Sequence, residues 1–150
     1  MSARRRPLPP TYFFGAIVLL VVLHLLLPVR TVVPWPWNLL GLVLAGAGSA
    51  VTGAADRLFK EKGTTVKPDQ ESSVLVTSSV FRWSRNPMYL GFVLILLGLG
   101  VLAGSAGALL PWIVFGIAMD HAFIRKEEAM LAARFPREWE EYCRRVRRWV

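Results

Sequence analysis

The stretch NPMYLGFVLILLGLGVLAGSAGALLPWIVFGIAM, from Asn86 to Met119, contains no Asp, Glu, Lys or Arg. A bilayer core of about 30 Å is crossed by about 20 apolar helical residues. The stretch is therefore too long for one span and fits two spans joined by a tight turn. Glycines near Ala103–Gly107 can adopt the positive φ that such a turn needs, and Pro111 suits the first turn of the helix that follows. The stretch predicts a helical hairpin within a membrane.

Two further apolar segments precede this hairpin. Residues 11–29 and 31–55 carry no charged side chain, and each is long enough to cross a bilayer. The first follows three arginines, as a signal peptide would, but it lacks a convincing small-residue cleavage site, so we expect a span. The sequence predicts one all-α integral membrane domain over residues 1–150, with about four transmembrane helices. The expected spans are 11–27, 37–55, 87–103 and 107–124.

The formal net charge of +8 is explained by where the 18 Lys and Arg residues lie. Three precede the first span, six lie between Arg57 and Arg85, eight lie from Arg125 onward, and Arg30 is alone. The positive-inside rule places the three larger groups in the cytoplasm. We therefore expect a multi-pass protein of the cytoplasmic membrane with both termini inside. This topology, with attraction to anionic lipid, accounts for the charge without a nucleic-acid partner.

The cytoplasmic parts are expected to be a loop, 56–86, and a tail, 125–150. The loop is polar and rich in Gly, Pro and paired Ser, which predicts an ordered loop with a short strand at Val74–Thr77. Apolar residues in the tail recur at spacings of three, four or seven, the pattern of an amphipathic helix. They are Ile124, Leu131, Phe135, Trp139, Tyr142, Val146 and Trp149. Pro136 should begin a second helix there, and the apolar face should lie on the bilayer surface or cover the loop.

Small residues recur at every fourth position of the second span, from Gly41 through Ala45 and Ser49 to Gly53. They predict a face that a neighbouring helix, or a second copy of the chain, approaches closely. The glycines of the segment 98–103 match a dinucleotide fingerprint, but that fingerprint works only between a strand and a helix. Inside an apolar span they are expected to serve helix packing.

Residues that bind metals or form disulfides are sparse in this chain. Cys143 is the single cysteine, so an internal disulfide is impossible, and we expect an inert thiol on a helix. One Cys and two distant His residues cannot build a zinc cluster, so no metal site is expected. His24 lies inside the first span, where a backbone carbonyl is its expected hydrogen-bond partner.

Charged and polar side chains meet the membrane at both ends of the hairpin. Arg85 and Asn86 stand before Pro87, at the N-terminal end of the third helix, where free amides favour an anionic group. Glu127 and Glu128 emerge after the fourth span, together with Arg125 and Lys126. Because the two helices are antiparallel neighbours, the clusters should face each other and form a pocket with an apolar mouth. The alternative is that both clusters only mark helix ends.

Three segments carry a resemblance to a known family. FKEKGTTVKP (59–68), VLVTSSVFRWSRNPMYLG (74–91) and RKEEAMLAARFPREWEEYCRRVRRW (125–149) resemble, in order and spacing, the superfamily of isoprenylcysteine carboxyl and phospholipid methyltransferases. The short chain is similar to prokaryotic members. Asn86 stands where many members carry His, and Pro136, Arg137 and Trp139 replace the usual Gly, acidic residue and Tyr.

The resemblance implies a membrane enzyme that uses S-adenosylmethionine. By analogy, the cofactor would be bound by Leu75, Thr77, Arg85, Asn86, Tyr89, Gly91, Glu127 and Glu128. Arg125 would orient an acceptor carboxylate, and Glu128 would act as the base if the acceptor were an amine. The implied acceptor is hydrophobic or lipid-like: the carboxylate of an isoprenylcysteine-like molecule first, a phospholipid amine second.

Two other functions are compatible with the sequence. Sterol-type reductases, which use NADPH, share a similar C-terminal pattern, but they are much longer chains. A non-enzymatic membrane scaffold would need only the packing face and the interfacial tail. Binding of S-adenosylmethionine, of NADPH, or of neither separates the three functions.

The predicted topology can be tested by labelling single cysteines in a Cys143→Ser background. Arg30→Cys and Gln70→Cys should react with membrane-impermeant maleimide from opposite sides of intact membranes, because the charge distribution places an odd number of spans between them. Labelling from the same side would exclude the four-span arrangement.

Overall fold

The computed structural model describes residues 8–27, 30–63 and 74–150. Within these ranges the chain is helical and has no strand, so the predicted all-α class is confirmed. The helices are α1 Pro9–Leu26, α2 Leu40–Glu61, α3 Pro87–Ala103, α4 Pro111–Met119, α5 Arg125–Arg134 and α6 Pro136–Arg145. Loop positions 64–73, with the labelling position Gln70, lie outside the described residues.

Among the described residues, three helical stretches are long and apolar enough to cross a membrane, and α3 is a shorter apolar helix. The long stretches are Pro9–Leu26, Trp37–Glu61 and Gly107–Arg134. Chains cross bilayers as helices because hydrocarbon offers no water to satisfy backbone N–H and C=O groups. The chain is therefore an integral membrane protein with four apolar helical segments.

Two helices continue past the boundaries that the charges predicted. α2 ends at Glu61 rather than at Ala55, so the predicted loop begins as helix. The fourth span continues into α5, so residues 125–134 extend it rather than start a separate tail. A charge marks where a helix leaves the hydrocarbon, but it does not by itself end the helix, whereas a glycine in the left-handed conformation often does. After α2 that residue is Gly63, with a φ of 61°.

The hairpin turns at Gly104, within the predicted segment. Its φ of 72° is open to glycine without strain, and its carbonyl accepts hydrogen bonds from the backbone N–H groups of Val32 and Val33 at 2.8 and 3.2 Å. The connection after α1 thus holds the turn in place. Pro111 begins α4, also as predicted.

His24 joins α1 to the same turn. Its Nδ1 lies 2.9 Å from the hydroxyl oxygen of Ser105, with which it shares a hydrogen bond. The prediction that His24 bonds to a backbone carbonyl was wrong, because the hairpin turn brings the Ser105 hydroxyl beside α1.

The backbones of α2 and α3 are almost in contact. A Cβ placed on Gly48 would lie 2.5 Å from the carbonyl oxygen of Gly91, and one on Gly98 would lie 2.5 Å from that of Gly41. Real side chains do not approach so closely, so these positions need glycine, as close helix packing in membranes often does. The assignment of Gly98 to helix packing is confirmed.

The surface of α2 that meets α3 follows the predicted stripe through Gly41 and Ala45 and departs from it after Ala45. It continues through Gly48 and Thr52, whereas Ser49 is exposed and Gly53 has open space around it. A helix has 3.6 residues per turn, so steps of four rotate progressively off one face. Mixed steps of three and four stay on it.

Side chains of α1, α3 and α4 form the main apolar cluster. Leu96, Phe115 and Met119 are buried at its centre, and the rings of Phe13 and Phe92 stack at 4.7 Å between centroids. Stacked and edge-on aromatic pairs add to the packing of such a core. This cluster fixes α1 against the hairpin, so the start of α1 lies near the start of α3.

The strand predicted at Val74–Thr77 was wrong, since the segment is irregular and pairs with no strand among the described residues. A strand needs a partner for its backbone groups, and the neighbouring elements here are helices. Instead, Val76 packs into a second cluster with Ala55, Phe81 and Tyr142.

Pro136 begins α6 as predicted. The apolar face of the tail was expected either on the bilayer surface or over the loop, and in the structure it packs over loop residues. Tyr142 and Val146 are buried against Val76 and Phe81. The Tyr142 hydroxyl, whose pKa is raised by burial, donates to the Phe81 carbonyl at 2.7 Å. The tail therefore covers the segment that precedes α3.

The contact of α2 with α3 can be tested with a matched pair of glycines. Gly98→Ala should lower the free energy of unfolding by about 1–3 kcal/mol, because the methyl group has no space. Gly46→Ala, on an open face of α2, should leave stability unchanged or raise it, since alanine favours helix. Thermal unfolding in detergent measures both, and equal melting temperatures would contradict the close contact.

Candidate active site

The candidate site is built around the start of α3. Pro87 takes the first helical position, where its missing N–H removes no intrahelical bond. The Arg85 N–H donates to the carbonyl of Arg147 at 3.0 Å, and the Asn86 N–H donates to Ser84 Oγ at 3.1 Å. These bonds fix the direction in which the chain enters α3.

The two polar clusters meet, as the hairpin predicted. The Arg85 guanidinium lies 3.4 Å from Oε1 of Glu128, and the Asn86 amide donates to the same oxygen at 3.5 Å. The Tyr89 hydroxyl donates to Oε1 of Glu127 at 2.7 Å. The start of α3 is therefore joined to α5 by charged and polar contacts.

Arg148, beyond the end of α6, makes the shortest contacts with Glu128. Its Nη2 and Nε donate to Oε2 of Glu128 at 2.7 and 3.0 Å, and its Nη1 donates to Asp120 at 3.1 Å. The hydrogen bond with Glu128 raises the pKa of Arg148, so this guanidinium stays charged. Hydrogen bonds between two charged groups are stronger than those between neutral groups.

The main chain of the tail also contributes. The carbonyl of Arg148 accepts from the Asn86 side-chain amide at 3.1 Å and from the Ser84 hydroxyl at 3.3 Å. Asn86 is buried, and its amide is thus bonded to both α5 and the tail. An amide can donate and accept at once, which suits a position between two elements.

One nitrogen of the Arg85 guanidinium donates to no acceptor within the described residues. Arg85 contacts the sulfur of Cys143 through Nη1, and its guanidinium carbon lies 5.5 Å from the ring centroid of Trp139. Its Nε is buried and has no hydrogen-bond partner within the described part of the chain. A buried donor without an acceptor is unfavourable, so this atom is suited to an acceptor on a bound molecule.

These groups border a cavity of about 300 Å³, within the size range of small-molecule sites. Its polar end is formed by Arg85, Asn86, Tyr89, Glu127 and Glu128. From α2, from the segment before α3 and from α6, the lining includes Phe59, Leu75, Val76, Phe81, Trp139 and Tyr142. From the start of α1, from α3 and from α5, it includes Leu8, Pro9, Pro10, Phe92, Met130 and Leu131. The cavity is thus apolar except at the end where the two clusters meet.

Six of the predicted site residues line this cavity: Leu75, Arg85, Asn86, Tyr89, Glu127 and Glu128. Three do not. Thr77 is exposed, and Gly91 lies against α2 beside Gly48. Arg125 is 55% exposed and donates to Asp120 at 2.7 Å. Asp120 opens a widened helical turn with five-residue hydrogen-bond spacing, which brings it beside Arg125.

Arg148 and Asp120 were missed by sequence reasoning. Arg148 is one of four arginines between positions 144 and 148, and no spacing rule distinguishes it from the others. The one available signal was Asp120, an acidic residue at the end of a long apolar run, since buried charges need a partner.

The family model described as phospholipid methyltransferase matches residues 37–138. An uncharacterized protein of Haemophilus influenzae is 36% identical over 63 residues, which cover 42% of this chain and all of that protein. No solved structure matches the chain.

Proposed function

The chain belongs to the phospholipid methyltransferase family, and from this premise we propose that it transfers the methyl group of S-adenosylmethionine to a lipid-like acceptor. Membership of this family supports the activity of a membrane methyltransferase. The use of S-adenosylmethionine and of a lipid-like acceptor is supported by the meeting of Arg85 and Asn86 with Glu127 and Glu128 at the polar end of an apolar cavity.

The residues around the cavity fit S-adenosylmethionine chemically. The unpaired Nε of Arg85 is a donor for its carboxylate. Glu127 and Glu128 offer acceptors for its ammonium and hydroxyl groups. The aromatic side chains of Trp139 and Tyr142, with Leu75, offer an apolar wall for the adenine ring. We therefore assign these residues to cofactor binding.

When bound, S-adenosylmethionine would supply an electrophilic methyl group on a sulfonium, with S-adenosylhomocysteine as the neutral leaving group and without covalent help from the protein. The chain's own residues then act by positioning and by excluding water. Arg85 and the carboxylates of α5 provide the polar groups that orient a bound molecule at one end of the cavity. The tail lines the cavity with Trp139 and with Tyr142, which is 3% exposed.

The acceptor proposed first is a carboxylate on an apolar molecule such as an isoprenylcysteine. A carboxylate is ionised at neutral pH and needs no base. Both oxygens of Glu128 are bonded, one to Arg148 and the other to Asn86 and Arg85, so Glu128 is poorly placed to take a proton. The apolar side of the cavity, with Phe92 and Leu131, suits an isoprenoid chain. We assign no role in catalysis to Arg125.

A phospholipid amine is the second candidate acceptor, and the family match favours it. An ammonium must lose a proton before it can attack, so this reaction needs a base. Glu127, already hydrogen-bonded by Tyr89, and Glu128 are the acidic residues that line the cavity. One of them would have to exchange a present partner for the amine.

Ligand binding tests the cofactor class. S-adenosylhomocysteine should raise the melting temperature of the detergent-solubilised protein increasingly with concentration, because a ligand that binds only the native state stabilises it. NADPH should cause no shift. A shift with NADPH alone would support a reductase instead, and no shift with either would support a scaffold.

Transfer of labelled methyl groups tests the acceptor. An S-prenylated cysteine with a free carboxylate should be methylated, and its methyl ester, which has no nucleophilic oxygen, should not. Labelling of phosphatidylethanolamine but not of the prenylated cysteine would select the second candidate.

Variants of the polar end test the residues. Glu128→Gln keeps the shape but removes the charge, so affinity for S-adenosylhomocysteine should fall by about 1.5–3 kcal/mol. Asn86→His, which can still donate and accept, should bind, and Asn86→Leu should not. Glu140→Gln, on the exposed face of α6, is the control. Isothermal titration measures all four, and parent-like binding by both Glu128→Gln and Asn86→Leu would place the site elsewhere.

A further inference from the structure

Arg148 is the residue on which both polar clusters converge, although it lies beyond the end of α6. Its side chain binds Glu128 of α5 through two nitrogens, at 2.7 and 3.0 Å. Its carbonyl binds the side-chain amide of Asn86, at the start of α3, at 3.1 Å. One residue thus holds the two elements that form the polar end of the cavity.

The carboxylate of Glu128 depends on Arg148 for its orientation. The Glu128 side chain is only 12% exposed, and its other partners, Arg85 and Asn86, lie farther away, at 3.4 and 3.5 Å. A buried carboxylate without a close partner is unfavourable and would turn towards Arg85. Such a turn would occupy the guanidinium that the proposed cofactor carboxylate requires.

Asp120 prevents Arg148 from moving with Glu128. The Nη1 of Arg148 donates to Asp120 at 3.1 Å, and Asp120 is also bonded by Arg125. Arg148 is therefore anchored at a second point, on the widened turn that precedes α5. A planar guanidinium can serve two carboxylates at once in fixed directions, which a lysine ammonium does less well.

We propose that Arg148 is a positioning residue for methyl transfer, which fixes Glu128 at the cavity, keeps it from pairing more closely with Arg85, and so leaves the Nε of Arg85 available to the cofactor. This inference rests on the proposed function. Arg148 lies outside residues 37–138, the part of the chain that matches the family model. With Arg148 in this role, the C-terminal segment after α6 is part of the proposed active site.

A double-mutant cycle on cofactor binding tests the proposal. Arg148→Gln should raise the dissociation constant of S-adenosylhomocysteine by roughly 10-fold or more, as the loss of a charged hydrogen-bonded pair does. Arg148→Lys should lie between it and the parent. If Arg148 acts through Glu128, adding Arg148→Gln to Glu128→Gln should cause little further loss, since residues that act as one unit are not additive.

Arg145→Gln is the matched control, because Arg145 pairs with Glu141 on the exposed surface of α6. It should bind like the parent. Melting temperatures are recorded for every variant, and if Arg148→Gln is not folded, Arg148→Lys takes its place in the cycle.

The outcomes separate this inference from the proposed function. Independent, additive losses, or a lowered melting temperature with unchanged binding, would mean that Arg148 only stabilises the fold, and would overturn the inference alone. A parent protein that does not bind S-adenosylhomocysteine would overturn the proposed function and the inference with it.

Discussion

The burial of the Glu128 carboxylate is the constraint on which the candidate site of this protein depends. A charge removed from water is tolerated only when it is paired and hydrogen-bonded. The partners of Glu128 come from two other parts of the chain: Arg85 and Asn86 before α3, and Arg148 after α6. Satisfying this one carboxylate therefore brings together the hairpin and the C-terminal segment, which are far apart in sequence.

The apolar part of the molecule makes this meeting possible by setting the position of α3. Backbone contact through Gly48 and Gly98 fixes α3 against α2, and the aromatic cluster around Phe115 fixes α1 and α4 against α3. Packing in lipid relies on such close contacts, since lipid tails are as apolar as the side chains they replace. Helix packing and the candidate site are thus separated along α3: glycines pack its length, and polar residues occupy its start.

The tail has a larger role than an anchor at the membrane surface. Tyr142 and Val146 bury apolar area against Val76 and Phe81, so α6 is held to the rest of the chain by the hydrophobic effect. That attachment delivers Arg148 to the polar end of the cavity. The same helix brings Trp139 to the face of Arg85, where a cation is attracted by the ring. The tail thus contributes both to the lining of the cavity and to the charged contacts at its polar end.

The sequence by itself determined the membrane class, the four apolar segments, the hairpin turn and the meeting of residues 85–86 with 127–128. These follow from local rules: the length of an uncharged run, the φ preferences of glycine and proline, and the antiparallel geometry of a short hairpin. Only the tertiary structure decided that Thr77, Gly91 and Arg125 lie away from the cavity and that Arg148 holds Glu128. Those outcomes depend on the rotation of each helix and on contacts between distant segments. The four arginines between positions 144 and 148 are alike in sequence, and only the fold decides which of them lies beside Glu128.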